Sequence, residues 1–292
     1  HASAKDKMLA EQGQRIRPGR DEKILTSWNG LMIYAMARAG RFLAQTTYTE
    51  SACRALDFIR GTLWRNGRLL VTAKDDKAKL NAYLDDYIFV IFGILELLQS
   101  RWRTEDLLFA IELMHVVLDH FEDSDHGGFF FTSDDHESLV YRPKTGSDDS
   151  IPAGNGIAVQ VLLRLGHLID EPRFLDAADR ALKAFSDEMR QSPTTCGALM
   201  SALEDTIYPG QFILLCGNDK ATQEWSTISS AEYQPARQCY RLPRNDKTLP
   251  TGLRNRNVIG KITAYICSGT SCLPPVTDKK IFKLKLEEKL SQ

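Results

Sequence analysis

A mainly α-helical fold, a two-layered ring of helical hairpins followed by a small α/β unit, is predicted by three observations. Segments with apolar residues at helical spacing fill the first two thirds of the chain. These segments alternate between helices that are apolar on nearly every face and helices carrying a single apolar stripe, as an inner and an outer layer require. Beyond Tyr208-Pro209-Gly210 the pattern changes to short apolar runs bounded by turns, which reads as strand. The chain is therefore divided into a linker or tail at 1–19, a hairpin region at 20–208, and a β-α-β unit with a closing helix at 209–292.

Helices are expected at about 27–46, 50–64, 84–100, 104–121, 154–169 and 172–190, joined in pairs by short turns. In the last pair, Ile157, Val159, Val161, Leu162, Leu163, Leu165, Leu168 and Ile169 surround one helix with apolar groups. Its successor confines Phe174, Ala178, Ala181, Leu182, Phe185 and Met189 to one stripe. A polar entry leads into each inner helix: Ser27-Trp-Asn-Gly30, Tyr83-Leu-Asp-Asp-Tyr87 and Pro152-Ala-Gly-Asn-Gly156. Strand-like stretches, Asn66 to Thr72 and Gly127 to Thr132, follow the first two units. Repeating units of this kind cannot bury their faces singly. Three hairpins are too few to close a ring, so the chain is expected to be part of a larger protein or to pair with something else. Downstream, 211–216, 237–242 and 261–267 read as strands, a helix runs to about 231, 243–257 is a mobile loop and 278–290 is the closing helix.

With 292 residues, 43% hydrophobic and 26% charged, the chain can bury a substantial core, and its composition excludes disordered and collagen-like classes. Lys and Arg number 37 against 38 Asp and Glu, so no general electrostatic attraction to nucleic acid or an anionic membrane exists. The longest apolar stretch, Ile88 to Leu98, is about half of the ~20 residues a membrane helix needs. Residues 1–14 contain no apolar signal core. A soluble, cytoplasmic chain without nucleic-acid or membrane partners is expected. No phosphate loop, dinucleotide fingerprint, nucleophile elbow or His-Glu-x-x-His motif occurs, and no cofactor is expected. His126 and His136 lie among aspartates without a recognised ligand spacing, so no metal is assigned.

In a ring of hairpins the inner-helix entries converge on one mouth. Asp85 and Asp86, flanked by Tyr83 and Tyr87, place carboxylates beside aromatic faces, a combination suited to sugar stacking and to acid–base catalysis. Either aspartate could instead cap the following helix, though a helix has one N-cap position. Trp28 and Asn29 add a stacking face and an amide, or simply pack. Arg20 with its charged neighbours, and Arg142, Lys144, Asp148 and Asn155, are read either as solvated loop groups or as ligands for hydroxyl and anionic groups. Six cysteines are too few for a disulfide-built scaffold. Cys267 and Cys272, the one close pair, could be a redox couple, half of a metal site or two bystanders.

At these motifs the chain resembles the spermatogenesis-associated protein 20 family, in which a thioredoxin-like domain precedes a six-hairpin helical toroid. The matching stretches are Arg20 to Met32, Tyr83 to Phe89, Gly127-Gly-Phe-Phe130, Arg142-Pro-Lys144 with Asp148 to Asn155, and Ala264 to Pro274, in family order. The family often carries Asp-Gly-Ala before a Pro-Ser-x-Asn turn. Here Asp149 stands in place of that Gly and Ala153 in place of that Ser. The resemblance implies a partial (α/α)6 toroid of helical hairpins, the C-terminal part of such a protein, lacking the thioredoxin-like domain and the first hairpins. By likeness to N-acylglucosamine 2-epimerases and glycoside hydrolases of the same fold, it implies a carbohydrate-active or sugar-binding toroid for a small saccharide or polyol. Asp85 and Asp86 would then be acid and base, with an epimerase, isomerase or hydrolase type of activity. The histidine pair of such epimerases has no counterpart at an inner-helix entry here. The alternative is a non-catalytic platform docking clients for a thioredoxin-like redox domain, with Cys267 and Cys272 as its redox or structural pair.

Overall fold

The computed structural model describes residues 2–75, 77–137 and 139–287. Within the stretch expected as a tail, α1 (Ala2–Gly13) is a helix that buries none of its residues. The first hairpin pairs α2 (Thr26–Phe42) with α3 (Thr46–Phe58), whose last turn widens into a π-helical turn at Ile59–Leu63. Strands β1 (Ile24–Leu25), β2 (Trp64–Arg65), β3 (Arg68–Lys74) and β4 (Lys77–Asn81) form an antiparallel sheet beside it.

The second hairpin is α4 (Leu84–Ser100) with α5 (Thr104–His120), and the third is α6 (Gly154–Ile169) with α7 (Pro172–Ala184). From Leu84 to Gln99 every residue of α4 except Asp85 is buried, as its continuous apolar sequence requires. Helix α6 ends where Asp170 turns left-handed (φ 60), and α7 begins on Pro172, whose missing N–H costs nothing at the first position of a helix. The expected single helix at 172–190 divides at Phe185 into α7 and the short α8 (Ser186–Gln191).

A further helix, α9 (Gly197–Ile207), packs against α6. The inner row is therefore α2, α4, α6 and α9 in order, with α3, α5 and α7 outside. The apolar pattern gave no warning of α9, because its buried residues are only Ala198, Leu199 and Ala202. The inner helices approach closely. A Cβ on Gly30 of α2 would lie 2.5 Å from the carbonyl carbon of Phe89 in α4, so these two backbones are in direct contact.

The expected strand at 127–132 is absent. Gly127 and Gly128 are both left-handed (φ 77 and 76), and the stretch makes only an isolated bridge, Glu122 to Phe129. The reason is local: the Asn155 side chain takes both backbone groups of Phe129, accepting its N–H at 2.7 Å and donating to its carbonyl at 2.9 Å. A side chain occupies the place of a partner strand.

The C-terminal sheet contains β5 (Gln211–Gly217), β6 (Gln238–Leu242), β7 (Ile262–Ser268) and β8 (Ser271–Cys272) in the order β6-β5-β7-β8. Helix α10 (Asp219–Ser229) crosses between the parallel pair β5 and β6, and β7 runs antiparallel to β5. The segment 243–257 carries a short helix, α11 (Thr251–Arg254), anchored by buried Leu249 and Leu253. Side chains alternate along β5. Phe212, Leu214 and Cys216 join the core of the hairpins, whereas Ile213 and Leu215 pack with Trp225 of α10 and Phe282 of the closing helix α12 (Lys279–Glu287). The sheet is thus sandwiched, and the hairpins and sheet share one core.

Among the described residues no helix is long and apolar enough to cross a membrane. The outermost inner helix, α2, leaves Trp28 and Met32 exposed (64% and 57%), and Leu43 just beyond it is also exposed.

Candidate functional site

Backbone N–H groups at the start of a helix have no partner within it. In this chain two aspartates satisfy them in pairs of neighbouring helices. Asp86 accepts from the N–H of Tyr83, the N-cap of its own helix α4, at 3.0 Å, and from the N–H of Ser27 in the first turn of α2 at 2.9 Å. Asp148 accepts from the N–H of Ala153, the N-cap of α6, at 2.8 Å, and from the N–H of Ala198 in the first turn of α9 at 3.0 Å. Carboxylates at these positions are also favoured by the positive ends of the helices. The entries of α2 and α4, and of α6 and α9, are tied together in this way.

Asp85 links the two pairs. Consecutive helical residues point about 100° apart, so Asp86 faces α2 while Asp85 faces α6 on the other side of α4. The Asp85 carboxyl rests against Gly154, the first residue of α6, where a Cβ would collide with Oδ1. Gly154 is a residue the sequence reading did not single out. Its signal was a glycine at the first helical position after Pro152-Ala153.

The two neighbours differ in chemistry. Both oxygens of Asp86 are held, and the residue is buried at 3% exposure. Burial nevertheless raises its carboxyl to about 6 against the lowering effect of those hydrogen bonds. Asp85 is half-buried, and its carboxyl accepts no hydrogen bond among the described residues. Burial first, and the adjacent Asp86 charge second, push it up to about 7. The α6 N-terminus opposes this by roughly 0.3–1 kcal/mol. A rise to about 7 corresponds to roughly 4 kcal/mol at most, so burial prevails. Asp86 is held by two backbone donors, whereas the Asp85 carboxyl is unclamped and pushed up toward neutrality.

Around this pair, half-buried Tyr83 stacks on Phe131 (centroids 4.7 Å apart) and on His136 (5.5 Å). Trp28 follows the Asp86-bound Ser27 and is largely exposed. Asn29 donates to the Leu25 carbonyl at 2.8 Å. Other candidates are placed elsewhere or are already engaged. Tyr87 is fully buried and its hydroxyl accepts from the Leu69 N–H at 2.9 Å, which excludes it from stacking on a ligand. Asn155, 2% exposed, holds Phe129 and donates to the Thr145 carbonyl at 3.0 Å. Arg142 lies over the Phe130 ring and donates to the Thr132 carbonyl at 2.6 Å. Lys144 binds Asp123 at 2.6 Å and the Gly127 carbonyl at 2.7 Å. These three fix the 120–145 loop because their polar groups are already committed to it. Arg20 is exposed and, among the described residues, paired only with Glu22.

His120, Asp134 and Asp135 cluster on the surface, but Asp135 is held by both terminal nitrogens of Arg68 at 2.7 Å. Cys267 and Cys272 face each other across the β7–β8 hairpin and form a disulfide.

An inner row of helices whose starts are tied together by carboxylates, with a second layer outside, defines a partial toroid of helical hairpins. No protein-family model matches the chain. It is a distant homologue of spermatogenesis-associated protein 20: 26% identical to the human protein over 295 residues, covering 94% of this chain and 37% of that one. The rat protein is 27% identical over 293 residues with the same coverage. The chain thus spans little more than a third of the length of these relatives. Among solved structures, the cellobiose 2-epimerase of Bacillus thermoamylovorans superposes with a TM-score of 0.54, covering 73% of this chain and 62% of that one at 11% identity. A GH76 α-mannanase of Bacteroides thetaiotaomicron gives 0.53, covering 80% and 68%, also at 11% identity. At such identities the likeness shows the fold alone.

Proposed function

We propose that the mouth formed by the starts of the inner helices binds a small saccharide or polyol and that Asp85 moves a proton there. The observation carrying this reading is the free, half-buried carboxyl of Asp85, raised to about 7 beside the clamped Asp86. Two adjacent carboxyls in unlike surroundings divide the labour. One holds or releases a proton near neutrality, and the other sets geometry and local charge. Trp28 and Tyr83 supply the faces on which a sugar ring stacks. The likeness in fold to a cellobiose 2-epimerase and an α-mannanase supports an epimerase, isomerase or hydrolase class of reaction.

The test is a thermal-stability panel of mono- and disaccharides, including mannose and cellobiose, on the full chain, since a ligand well above its Kd must raise Tm. A saturable rise with at least one sugar, lost in Trp28→Ala, is expected. Any turnover of that sugar should show a pH limb near 7 that disappears in Asp85→Asn. Silence across the panel would exclude the reading. It would favour the second one, a client-docking platform for a thioredoxin-like domain, which the exposed Cys272 of the hairpin disulfide supports.

A further inference from the structure

A cleft of about 250 Å³ lies between the exit half of α6 and the C-terminal sheet, roofed by the β7–β8 hairpin with its disulfide. Two arginines line it. Arg164 projects from α6 and lies over the Phe92 ring at 5.2 Å; Arg256, which follows α11, lies over the Tyr265 ring at 5.1 Å. Each has a buried Nε without a hydrogen-bond partner. Arg41, Arg101 and Arg142 share that feature, but their other nitrogens are bound to Glu96, Asp106 and the Thr132 carbonyl.

The cleft pair is different. The Arg256 guanidinium donates to no acceptor among the described residues. The ion pair of Arg164 is with Asp205 at 3.8 Å, too long for a hydrogen bond. Burial also pushes the Asp205 carboxyl up, which weakens its hold on that charge. Asp170, the other acid lining the cleft, is exposed to water. Two partly buried cations facing one cavity are costly unless an anion lies between them. Planar guanidinium forks match the paired oxygens of carboxylate and phosphate.

We propose that this cleft binds a small oxyanion, the phosphate or carboxylate group of a metabolite, through Arg164 and Arg256. The site is separate from the sugar mouth: Arg164 stands ten residues beyond Gly154 on α6, about 15 Å along its axis. Failure of either reading therefore leaves the other standing.

The experiment titrates inorganic phosphate, and separately malonate, into the full chain against sodium chloride at equal ionic strength, reading Tm. A saturable rise with at least one anion is expected. A response to phosphate alone assigns a phosphate source, and a response to malonate alone a carboxylate source. Arg256→Gln should weaken binding about tenfold or more, the loss of one charge-assisted bond, while shifting the anion-free Tm little, since among the described residues Arg256 makes no ion pair and only its contact over the Tyr265 ring is lost. Arg164→Gln should weaken binding similarly, and Asp85→Asn should leave it intact. Absence of a saturable rise with both anions, or an equal rise in Arg256→Gln, would overturn the proposal.

Discussion

Gly30→Ala adds one methyl group where α2 and α4 touch. Its Cβ would lie 2.5 Å from the Phe89 carbonyl carbon and 2.7 Å from both the Phe89 oxygen and the Val90 nitrogen. All three atoms are backbone, so no rotamer change relieves the clash. The helices must part by about 1 Å to restore ordinary contact, an overpacking cost of roughly 1–3 kcal/mol. Ser27 lies one turn away, and the same movement stretches its 2.9 Å bond to Asp86 beyond hydrogen-bonding range, costing about 1.5–3 kcal/mol more. The better helix propensity of alanine returns only about 1 kcal/mol. A net loss of roughly 1.5–5 kcal/mol is expected, or about 3–10 °C in Tm for a chain of this size. Thermal unfolding followed by circular dichroism reads it, with Gly61→Ala as the control. A Cβ on Gly61 meets nothing within 4 Å, so that variant should be neutral or slightly stabilised. Equal shifts in the two variants would refute the account of how the inner helices meet.

Asn155→Ala should cost about 3 kcal/mol in urea unfolding, because three hydrogen bonds at a buried position vanish and the Phe129 backbone is left unpaired. An effect within experimental error would show that the 127–132 stretch holds itself. Asp85→Asn should change the pH dependence of stability. The folded carboxyl binds its proton more tightly than the unfolded one, so the native protein loses stability as pH rises from about 4 to about 7. The variant should match it near pH 4 and be more stable at pH 8, by about 1–2 kcal/mol once partial solvent access is allowed for. An advantage independent of pH would contradict the assignment. Reduction of the Cys267–Cys272 disulfide, with its sequence separation of 5, should cost about 2 kcal/mol or less because so short a loop restricts the unfolded chain little. A much larger loss would mean that the hairpin holds the shared core together.

The helical hairpins were legible because burial imprints itself on apolar spacing. Helix α4 is apolar on all sides and is enclosed on all sides. The alternating strand β5 likewise divides its side chains between two cores. Helix α9 was not legible, since small residues packed at close range leave no strong pattern. The strand expected at 127–132 failed for a different reason. Its Gly-Phe sequence fits a strand, but its hydrogen-bond partner is a side chain 26 residues downstream, and single-sequence periodicity carries no trace of that contact. Among the site candidates, residue type indicated polarity without indicating use. Asp86 and Asn155 at helix entries, and Asp148 in the loop beside one, carry the polarity expected of ligand groups, yet all three are occupied by backbone groups. Only the division of roles between Asp85 and Asp86, set by their 100° separation on α4 and by the bare Cα of Gly154, distinguishes the free carboxyl from the clamped one.

That distinction is measured most directly by carboxyl-carbon NMR titration of the full chain, with the Asp85 resonance assigned through Asp85→Asn. A midpoint near 7 for Asp85 is the predicted result. A midpoint near 4, that of an ordinary solvated aspartate, would contradict the account and remove the proton-holding group from the mouth of the inner helices.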